Sequence, residues 1–346
     1  MFNTIKLFWF LTVVMVLLPS SYSFAQPSPI EVNVLNYVKA KSAFHFGRVN
    51  AKSGGINKWV HIRNPVPIDQ QRVSRMNRDT LYSSMVVDIS KGAKLSLPET
   101  QGRYMSAAII NEDHYINKIF HQAGDILLKP EDYDTDFILI IVRILVNANK
   151  PADILAVNTL QDSLSLKSAS DRVYTPPNYV KEDLLNTGKH LTKLAGELKD
   201  ARNSYGTKKS VNNIKHLLLS AFGWGGLPET EAFYINSKPN LTNGAYTITV
   251  NKVPVDGFWS ISVYNKDGFF QENKYDAYSI NNLTAQSDNN GTITIHFGGN
   301  PSNPNFLPIT DGWSYVVRMY QPRPEIIQAK WIFPDLVPTH PDNTQH

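Results

Sequence analysis

Alternating apolar and polar positions mark the first half of the chain. MVVDIS from Met85, KGAKLSLPET from Lys91 and GRYMSAAIIN from Gly102 alternate with the two-residue period of a half-buried strand. FILIIVRILV, from Phe137 to Val146, is apolar at almost every position, which is typical of a strand buried on both faces. The pattern therefore predicts a first β region that ends near Val146.

Helical periodicity follows this β region. A short helix is predicted from Asp153 to Ser163, and two amphipathic helices are predicted after it, the second ending at Gly223 in a left-handed cap. A weaker apolar stripe favours a helix within the segment Ile30 to Phe46, which SGG from Ser53 would end. The two amphipathic helices are marked by Leu184, Leu191, Leu194, Ala195 and Leu198, and by Val211, Ile214, Leu217, Leu218, Ala221 and Phe222.

The last hundred residues alternate again. YTITV, FWSISVY, TITIHF and WSYVVRMYQ are separated by the turn sequences VDG, KDG and NNG. Short strands at this spacing predict an antiparallel sandwich or jelly roll. The whole pattern thus predicts a mostly β, α+β protein with two β regions joined by helices.

The N-terminus has the pattern of a secretory signal peptide. An apolar run from Leu7 to Leu18 is followed by SYSFAQ, which offers Ser23 and Ala25 as the small residues of a cleavage site. We expect cleavage after Ala25, export to the periplasm or beyond the cell, and no stable membrane insertion afterwards.

The amino-acid composition excludes some classes of function. The 346 residues include no Cys, and the net charge of +4 is spread without any block of five like charges. Thiol catalysis and thiolate metal sites are therefore excluded, and nucleic-acid binding is not expected. The scattered His residues and the lack of phosphate-loop or metalloprotease motifs lead us to predict neither a metal nor a cofactor.

Polar residues cluster just ahead of the first strong strand. Asn77, Arg78 and Asp79 stand together before Tyr82, and Arg143 interrupts the apolar run further along. Because a buried charge is costly without a partner, we expect Arg143 to pair with a carboxylate. The candidate partners are Asp79, Glu112 and Asp113. Two interpretations stay open: an ion pair that fastens the strand, or a receptor for an anion.

Two further clusters carry candidate chemistry. In NEDHYINK, Glu112 or Asp113 can orient His114 for acid–base work, although a solvated turn explains the same residues. In GWGGLPETEAFY, Trp224 is either the wall of a pocket or part of a packing corner between helix and sheet.

Several long stretches resemble a known family. RMNRDTLYSSMVVDIS, GRYMSAAIINEDHYINKIFHQAG and VRILVNANKPADILAVNTLQDSL resemble the domain of unknown function 1254. PVDGFWSISVYNKDGFF, YDAYSINNLTA and FLPITDGWSYVVRMYQPRPEIIQAKWIFP resemble its companion, the domain of unknown function 1214. The resemblance, to the short form of these bacterial exported proteins, implies an N-terminal β-sandwich, a helical middle segment and a C-terminal jelly-roll domain. It implies no catalytic residues.

These observations lead to a division of the chain and to three hypotheses. We predict a signal peptide (1–25), a sandwich (26–170), a helical segment (171–235), a jelly-roll domain (236–338) and a flexible tail (339–346). The first hypothesis is an envelope protein that binds a small molecule or glycan between the domains, with Asn77, Arg78, Asp79, Tyr82, Arg143 and Trp224 as candidates. The second is a metal-independent hydrolase or lyase that uses His114, with an Arg stabilising the developing anion. The third is a structural protein; whether the chain forms a homo-oligomer stays open.

Overall fold

A computed structural model of the protein describes residues 28–339. The predicted signal peptide and nearly all of the predicted tail lie outside these residues. Sixteen strands and five α-helices make up the described fold. The strands are β1 (Val60–Ile62), β2 (Thr80–Asp88), β3 (Ala93–Leu97), β4 (Met105–Asn111), β5 (Ile116–Phe120), β6 (Gly124–Leu128), β7 (Phe137–Leu145), β8 (Ser165–Ser168), β9 (Ala232–Ser237), β10 (Tyr246–Val250), β11 (Trp259–Tyr264), β12 (Ser279–Asn281), β13 (Ile293–Phe297), β14 (Phe306–Leu307), β15 (Ser314–Tyr320) and β16 (Val337–Pro338). The helices are α1 (Tyr37–Ser53), α2 (Pro151–Asp162), α3 (Lys181–Ala195), α4 (Asn213–Phe222) and α5 (Pro324–Ile327).

The first half forms a β-sandwich. A five-stranded antiparallel sheet in the order β1-β2-β7-β4-β5 packs on a three-stranded sheet in the order β6-β3-β8. Alternation along β4 decides which residues enter this sandwich core. Met105, Ala107 and Ile109 point into it, while Ala108 and Ile110 point to the opposite face of the large sheet.

That opposite face is also covered, as the apolar pattern of β7 predicts. Helices α1, α3 and α4 pack over part of it, and Phe258 and Tyr320 of the C-terminal half pack over another part. The large sheet is therefore an inner layer of the molecule, and the side chains on this second face meet both the helices and the C-terminal half.

The C-terminal half is a second two-sheet arrangement of jelly-roll character. Sheet β12-β11-β15-β9 faces sheet β14-β13-β10-β16 across a core that contains Trp313, Phe297 and Ile261. All pairs are antiparallel except β13 with β14. Along β15, alternation sends Val317 into this core and turns Arg318 and Tyr320 toward the N-terminal half. The mostly β, α+β fold class is confirmed, whereas the domain boundaries stay predictions.

Some local predictions were wrong. The N-terminal helix begins only at Tyr37, and Leu35 is exposed, because the chain before it pairs with the segment ahead of α3 through Ile30 and Tyr179. Strand β2 already begins at Thr80, so most of NRDTLYSS belongs to the strand. Gly223 ends α4, but with an extended φ of −151°.

Candidate ligand site at the domain junction

A row of three side chains crosses the large sheet where the helices give way to the C-terminal half. Arg143 of β7 stands opposite Tyr82 of β2 on one side and opposite Ser106 of β4 on the other. Directly opposed residues in antiparallel strands have Cβ atoms about 4.5–5.5 Å apart, so the three side chains are neighbours. The row lies on the second face of the sheet, turned away from the sandwich core.

Arg143 is buried, at 7% exposure, but it has no carboxylate partner. Its Nη2 donates to the carbonyl oxygen of Gly225 at 2.7 Å, and its guanidinium lies 5.6 Å from the ring centroid of Tyr82. The ion pairs found among residues 28–339 do not include Arg143. The prediction that it pairs with Asp79, Glu112 or Asp113 was wrong, because a carbonyl and an aromatic ring occupy its surroundings instead.

Arg143 has a buried polar atom, Nη1, that lacks a hydrogen-bond partner within the described part of the chain. Oη of Tyr104 and Oγ of Ser106, two residues apart in the chain, lie close enough to hydrogen-bond with each other. Leaving a buried polar group unsatisfied costs about 1–3 kcal/mol, and more for a charged one. The protein therefore holds a guanidinium N–H group ready for hydrogen bonding, with the hydroxyls of Ser106 and Tyr104 beside it.

Tyrosines and an asparagine complete the surroundings. Asn77 donates from Nδ2 to Oη of Tyr320 at 2.9 Å and to Oη of Tyr82 at 3.5 Å. Tyr234 lies near enough to Arg143 for its positive charge to act on the phenol. Asn77, Tyr82 and Tyr234 are only half-buried, so the cluster reaches the surface at the junction. We call Asn77, Tyr82, Tyr104, Ser106, Arg143, Tyr234 and Tyr320 the junction cluster.

Burial raises the pKa of three phenols in this cluster, those of Tyr104, Tyr234 and Tyr320. Burial raises the pKa of Tyr104 above its usual range, and the hydrogen bond with Ser106 and the charge of Arg143 only partly oppose this effect. Burial likewise raises the pKa of Tyr234, with Arg143 and Arg318 acting against it. Neutral phenols can both donate and accept hydrogen bonds, so the cluster contains one fixed positive charge and several neutral polar groups.

Arg78 and Asp79 lie outside the junction cluster, and both contact side chains of the C-terminal half. Arg78 donates from Nη1 to the carbonyl of Val66 and lies 5.2 Å from the ring centroid of Tyr278. Asp79 accepts from Oγ of Ser279 at 3.2 Å and from Nδ2 of Asn281 at 3.0 Å. The predicted pairing of Asp79 with Arg143 is thus replaced by hydrogen bonds that attach β12 to the N-terminal half.

His114 is fully buried and tied at both ring nitrogens. Its Nδ1 lies 2.7 Å from Oγ of Ser220, and its Nε2 accepts the backbone N–H of Gly225 at 2.9 Å. The prediction that Glu112 or Asp113 orients the ring was wrong, because Ser220 and Gly225 do so. Asp113 instead forms a surface ion pair with Lys39 at 3.2 Å.

The ring of His114 lies within a column of stacked aromatic side chains. Burial lowers the pKa of His114 well below its usual value, and the neighbouring His216 and His45 lower it further. Burial also lowers the pKa of His45, to about 3. Successive ring centroids are 4.3, 4.7, 5.2 and 5.1 Å apart in the order His45, Trp224, His114, His216 and Tyr115.

Trp224 therefore packs as a member of this column, and its Nε1 donates to Oγ of Ser42. The column places three imidazoles and an indole between the helices and the sheet. Glu112 is a half-buried neighbour of this region, and burial raises the pKa of its carboxyl group.

A histidine–carboxylate pair does exist, at a different place. His121 lies 2.9 Å from the carbonyl oxygen of Met105 through Nδ1 and 2.7 Å from Oε2 of Glu231 through Nε2. Both partners are hydrogen-bond acceptors, so a proton on either ring nitrogen has a partner to receive it. Glu231 also lines a cavity of about 300 Å³ beside the edge strand β5, together with Lys118 and Tyr205.

Sequence reasoning found Arg143, Tyr82 and Asn77 but missed the rest of the junction cluster. Tyr104 and Ser106 share a strand face in the alternation, yet only the register of β4 against β7 reveals that Ser106 lies opposite Arg143. Gly225 lies in the stretch GWGGLPETEAFY, but nothing in a sequence identifies a particular backbone carbonyl as the partner of Arg143. Within the described residues, no group of three or more His, Asp or Glu side chains is arranged to hold a metal ion.

Two family profiles match the chain. Residues 56–168 match a family described as Protein of unknown function (DUF1254), and residues 236–324 match another described as Protein of unknown function (DUF1214). The chain pairs DUF1254 with DUF1214. The junction cluster of this DUF1254–DUF1214 protein takes Arg143 from the first matched region and Tyr320 from the second. Gly225 and Tyr234 lie between the two regions.

Solved structures share this fold. A crystal structure of the VPA0106 protein from Vibrio parahaemolyticus is 17% identical with a TM-score of 0.68, and the match covers 89% of this chain and 98% of that one. The crystal structure of an uncharacterised protein from Burkholderia cenocepacia is 11% identical with a TM-score of 0.50, covering 88% and 87%. At such identities the likeness shows the fold alone. No curated protein matches the chain.

Proposed function

We propose that this protein binds a small molecule or glycan end that carries a carboxylate, and that Arg143 receives the carboxylate at the domain junction. The observation that carries the proposal is a buried guanidinium with a free Nη1 and no acidic side chain paired with it. A protein rarely retains such a group for stability, because an apolar side chain of similar size is often as good or better.

The chemistry of the neighbours favours an acidic sugar among such ligands. The hydroxyls of Ser106 and Tyr104 can exchange hydrogen bonds with ligand oxygens as well as with each other. The half-buried rings of Tyr82 and Tyr234 offer flat apolar surface of the kind on which sugar faces pack. A carboxylate accepts a charge-assisted hydrogen bond from Arg, which is stronger than one between neutral groups.

Calorimetric titration of the purified protein with glucuronate and galacturonate tests the proposal. Glucose and galactose serve as neutral controls for the sugar ring, and acetate serves as a control for the carboxylate. We expect heat of binding and thermal stabilisation with the acidic sugars, and neither with the neutral ones, because only the acids can meet the charge of Arg143.

Substitutions of Arg143, with a substitution of Arg78 as control, test whether the acidic sugar binds at Arg143. Arg143→Met should abolish it, and Arg143→Lys should weaken it strongly, because a single ammonium cannot reproduce the planar fork that holds Gly225 and a ligand together. Arg78→Met is the control, since Arg78 is also a buried Arg lying over a Tyr ring. Binding that persists in Arg143→Met, or the absence of binding by every acid, would overturn the proposal.

The hydrolase or lyase alternative gains no support at His114. Its Nε2 lone pair already accepts the N–H of Gly225, and its Nδ1 is engaged with Ser220, so neither nitrogen is free to take a proton from a substrate. The structural alternative makes the opposite prediction for Arg143→Met, namely that only stability changes.

We also propose that the protein is exported, on the strength of the apolar run from Leu7 and the small residues before Gln26. N-terminal sequencing after expression in a bacterial host tests this proposal, and we expect a chain that begins at Gln26. Retention of Met1 would contradict it. Within residues 28–339, no helix combines the length and hydrophobicity needed to cross a bilayer.

A further inference from the structure

One residue links the junction cluster to the aromatic column. The backbone N–H of Gly225 donates to Nε2 of His114 at 2.9 Å, and the carbonyl oxygen of Gly225 accepts from Nη2 of Arg143 at 2.7 Å. The two side chains do not share a direct hydrogen bond. Each is held to the other through this single glycine.

The direction of every hydrogen bond in this chain of contacts is fixed. A backbone amide can only donate, so Nε2 of His114 is the acceptor and its proton resides on Nδ1. Nδ1–H then donates to Oγ of Ser220, whose hydroxyl donates onward to the carbonyl of His216 at 2.6 Å. The ring is thereby held in one tautomer and one orientation.

Gly225 needs such a support. Its φ of 79° lies in the left-handed region, and it sits in the glycine-rich turn between α4 and β9. Its neighbour Gly226 packs so closely that a Cβ there would lie 2.4 Å from Tyr205. The stack of Trp224 on His114 fixes one side of the turn, and the hydrogen bond to His114 fixes the direction of the Gly225 backbone.

We propose that His114 is a positioning residue: it holds Gly225 so that the Gly225 carbonyl occupies Nη2 of Arg143 and turns the free Nη1 toward the ligand. The inference rests on the proposed function, since it assigns His114 a part in binding the carboxylate. It also replaces the role of general base by that of a fixed hydrogen-bond acceptor.

Two substitutions of His114 separate its role as a hydrogen-bond acceptor for Gly225 from the packing of its ring. The amide of Gln extends about as far as Nε2 of His, so His114→Gln can still accept the N–H of Gly225. The shorter amide of Asn reaches only the position of Nδ1, so His114→Asn can still meet Ser220 but leaves Gly225 without its acceptor. Both variants lose the stacking of the imidazole, so that loss is common to the pair.

The backbone conformation at position 114 makes the comparison of the Asn and Gln variants more discriminating. His114 has a φ of 66°, a conformation that Asn adopts more readily than Gln does. If backbone strain governed the result, Asn would be the milder change. Positioning through Gly225 predicts the reverse order.

The test is the dissociation constant of the acidic sugar that binds best to the wild-type protein. We expect a rise of about tenfold in His114→Asn and of less than about threefold in His114→Gln, the size of one lost hydrogen bond against one that is retained. Equal weakening in both variants, or wild-type affinity in both, would overturn the positioning role.

A second measurement does not depend on any ligand. In protein labelled with ¹⁵N at His and Gly, the wild-type spectrum should show His114 protonated at Nδ1 and a hydrogen-bonded, slowly exchanging Gly225 amide. Arg143→Met should speed exchange of that amide, because it removes the bond on the other side of Gly225. Failure of all acids to bind would end the proposed function alone, whereas an unchanged Gly225 amide in Arg143→Met would end the positioning role.

Discussion

The carboxylate of Asp88 provides a sharp test of how this fold is held together. It is fully buried at the end of β2, and Oδ1 accepts from Ser90 N at 3.1 Å, from Ser90 Oγ at 2.8 Å and from Arg172 Nη2 at 3.0 Å. Oδ2 accepts from Ser170 Oγ at 2.5 Å, from Arg172 N at 2.9 Å and from Arg172 Nε at 3.0 Å. Two oxygen atoms thus receive six donated hydrogen bonds.

Asp88→Asn keeps the shape but turns one oxygen into an NH₂ group that faces three donors. Losing three bonds at about 1–1.5 kcal/mol each lowers the free energy of unfolding by about 3–4.5 kcal/mol. Urea denaturation at pH 7 measures this difference. The variant should keep the native fold, because the two side chains are nearly the same size.

The pH dependence gives an independent check. Burial acts to raise the pKa of Asp88, but the hydrogen bonds from Arg172, Ser170 and Ser90 outweigh it and hold the pKa well below its usual range. The stabilisation is therefore complete above the unfolded-state pKa of about 3.9 and is lost as the pH falls toward the folded-state value. The difference between wild type and Asp88→Asn should shrink as the pH falls below about 4.

Asp136→Asn is the matched control. Asp136 pairs with the same Arg172 at 3.0 Å, but it is exposed and receives one of the contacts that water can replace. Exposed pairs contribute about 0–1 kcal/mol, so its loss should be small. Equal destabilisation by Asp88→Asn and Asp136→Asn, or a pH-independent difference for Asp88→Asn, would refute the reasoning.

Two other changes test the helix that supports the aromatic column and the contact between the halves. Asn212→Ala removes the side-chain acceptor for two backbone N–H groups at the start of α4, so thermal or urea unfolding should show a loss of about 0.5–2 kcal/mol, and Asn212→Ser should recover most of it. Gly257→Ala places a Cβ 2.8 Å from the Tyr320 carbonyl oxygen and 2.9 Å from Tyr104, so it should cost about 1–3 kcal/mol by overpacking and weaken binding of the acidic sugar. Unchanged stability in either Ala variant would contradict the corresponding contact.

The periodicity of apolar residues predicted most of the secondary structure. The strands that became β2, β3, β4 and β7 were visible because one or both of their faces are apolar, and the two amphipathic helices were visible for the same reason. Strands β5, β6 and β8 gave no such signal, since each has a partly exposed, polar sequence. Pairing with longer neighbours makes them strands, and that information is not local.

The candidate site was predictable only in part. An Arg inside an apolar run signals a buried charge, and Arg143 is buried as expected. Its partner was not predictable from charge, because the chain satisfies one nitrogen with the carbonyl of Gly225, about eighty residues away in sequence. Likewise, NEDHYINK suggested that the nearest acids orient His114, whereas the fold brings Ser220 and Gly225 to the ring.

The doubly covered sheet has a consequence for how the polypeptide acquires its structure. Residues 56–168 contain the whole five-stranded sheet, yet Ala108, Ile110 and Leu145 are shielded by helices and aromatic rings encoded before and after that region. During synthesis this apolar surface stays incompletely covered until Phe258 and Tyr320 leave the ribosome. An excised fragment of the first matched region should aggregate, and the two matched regions should unfold together in one transition.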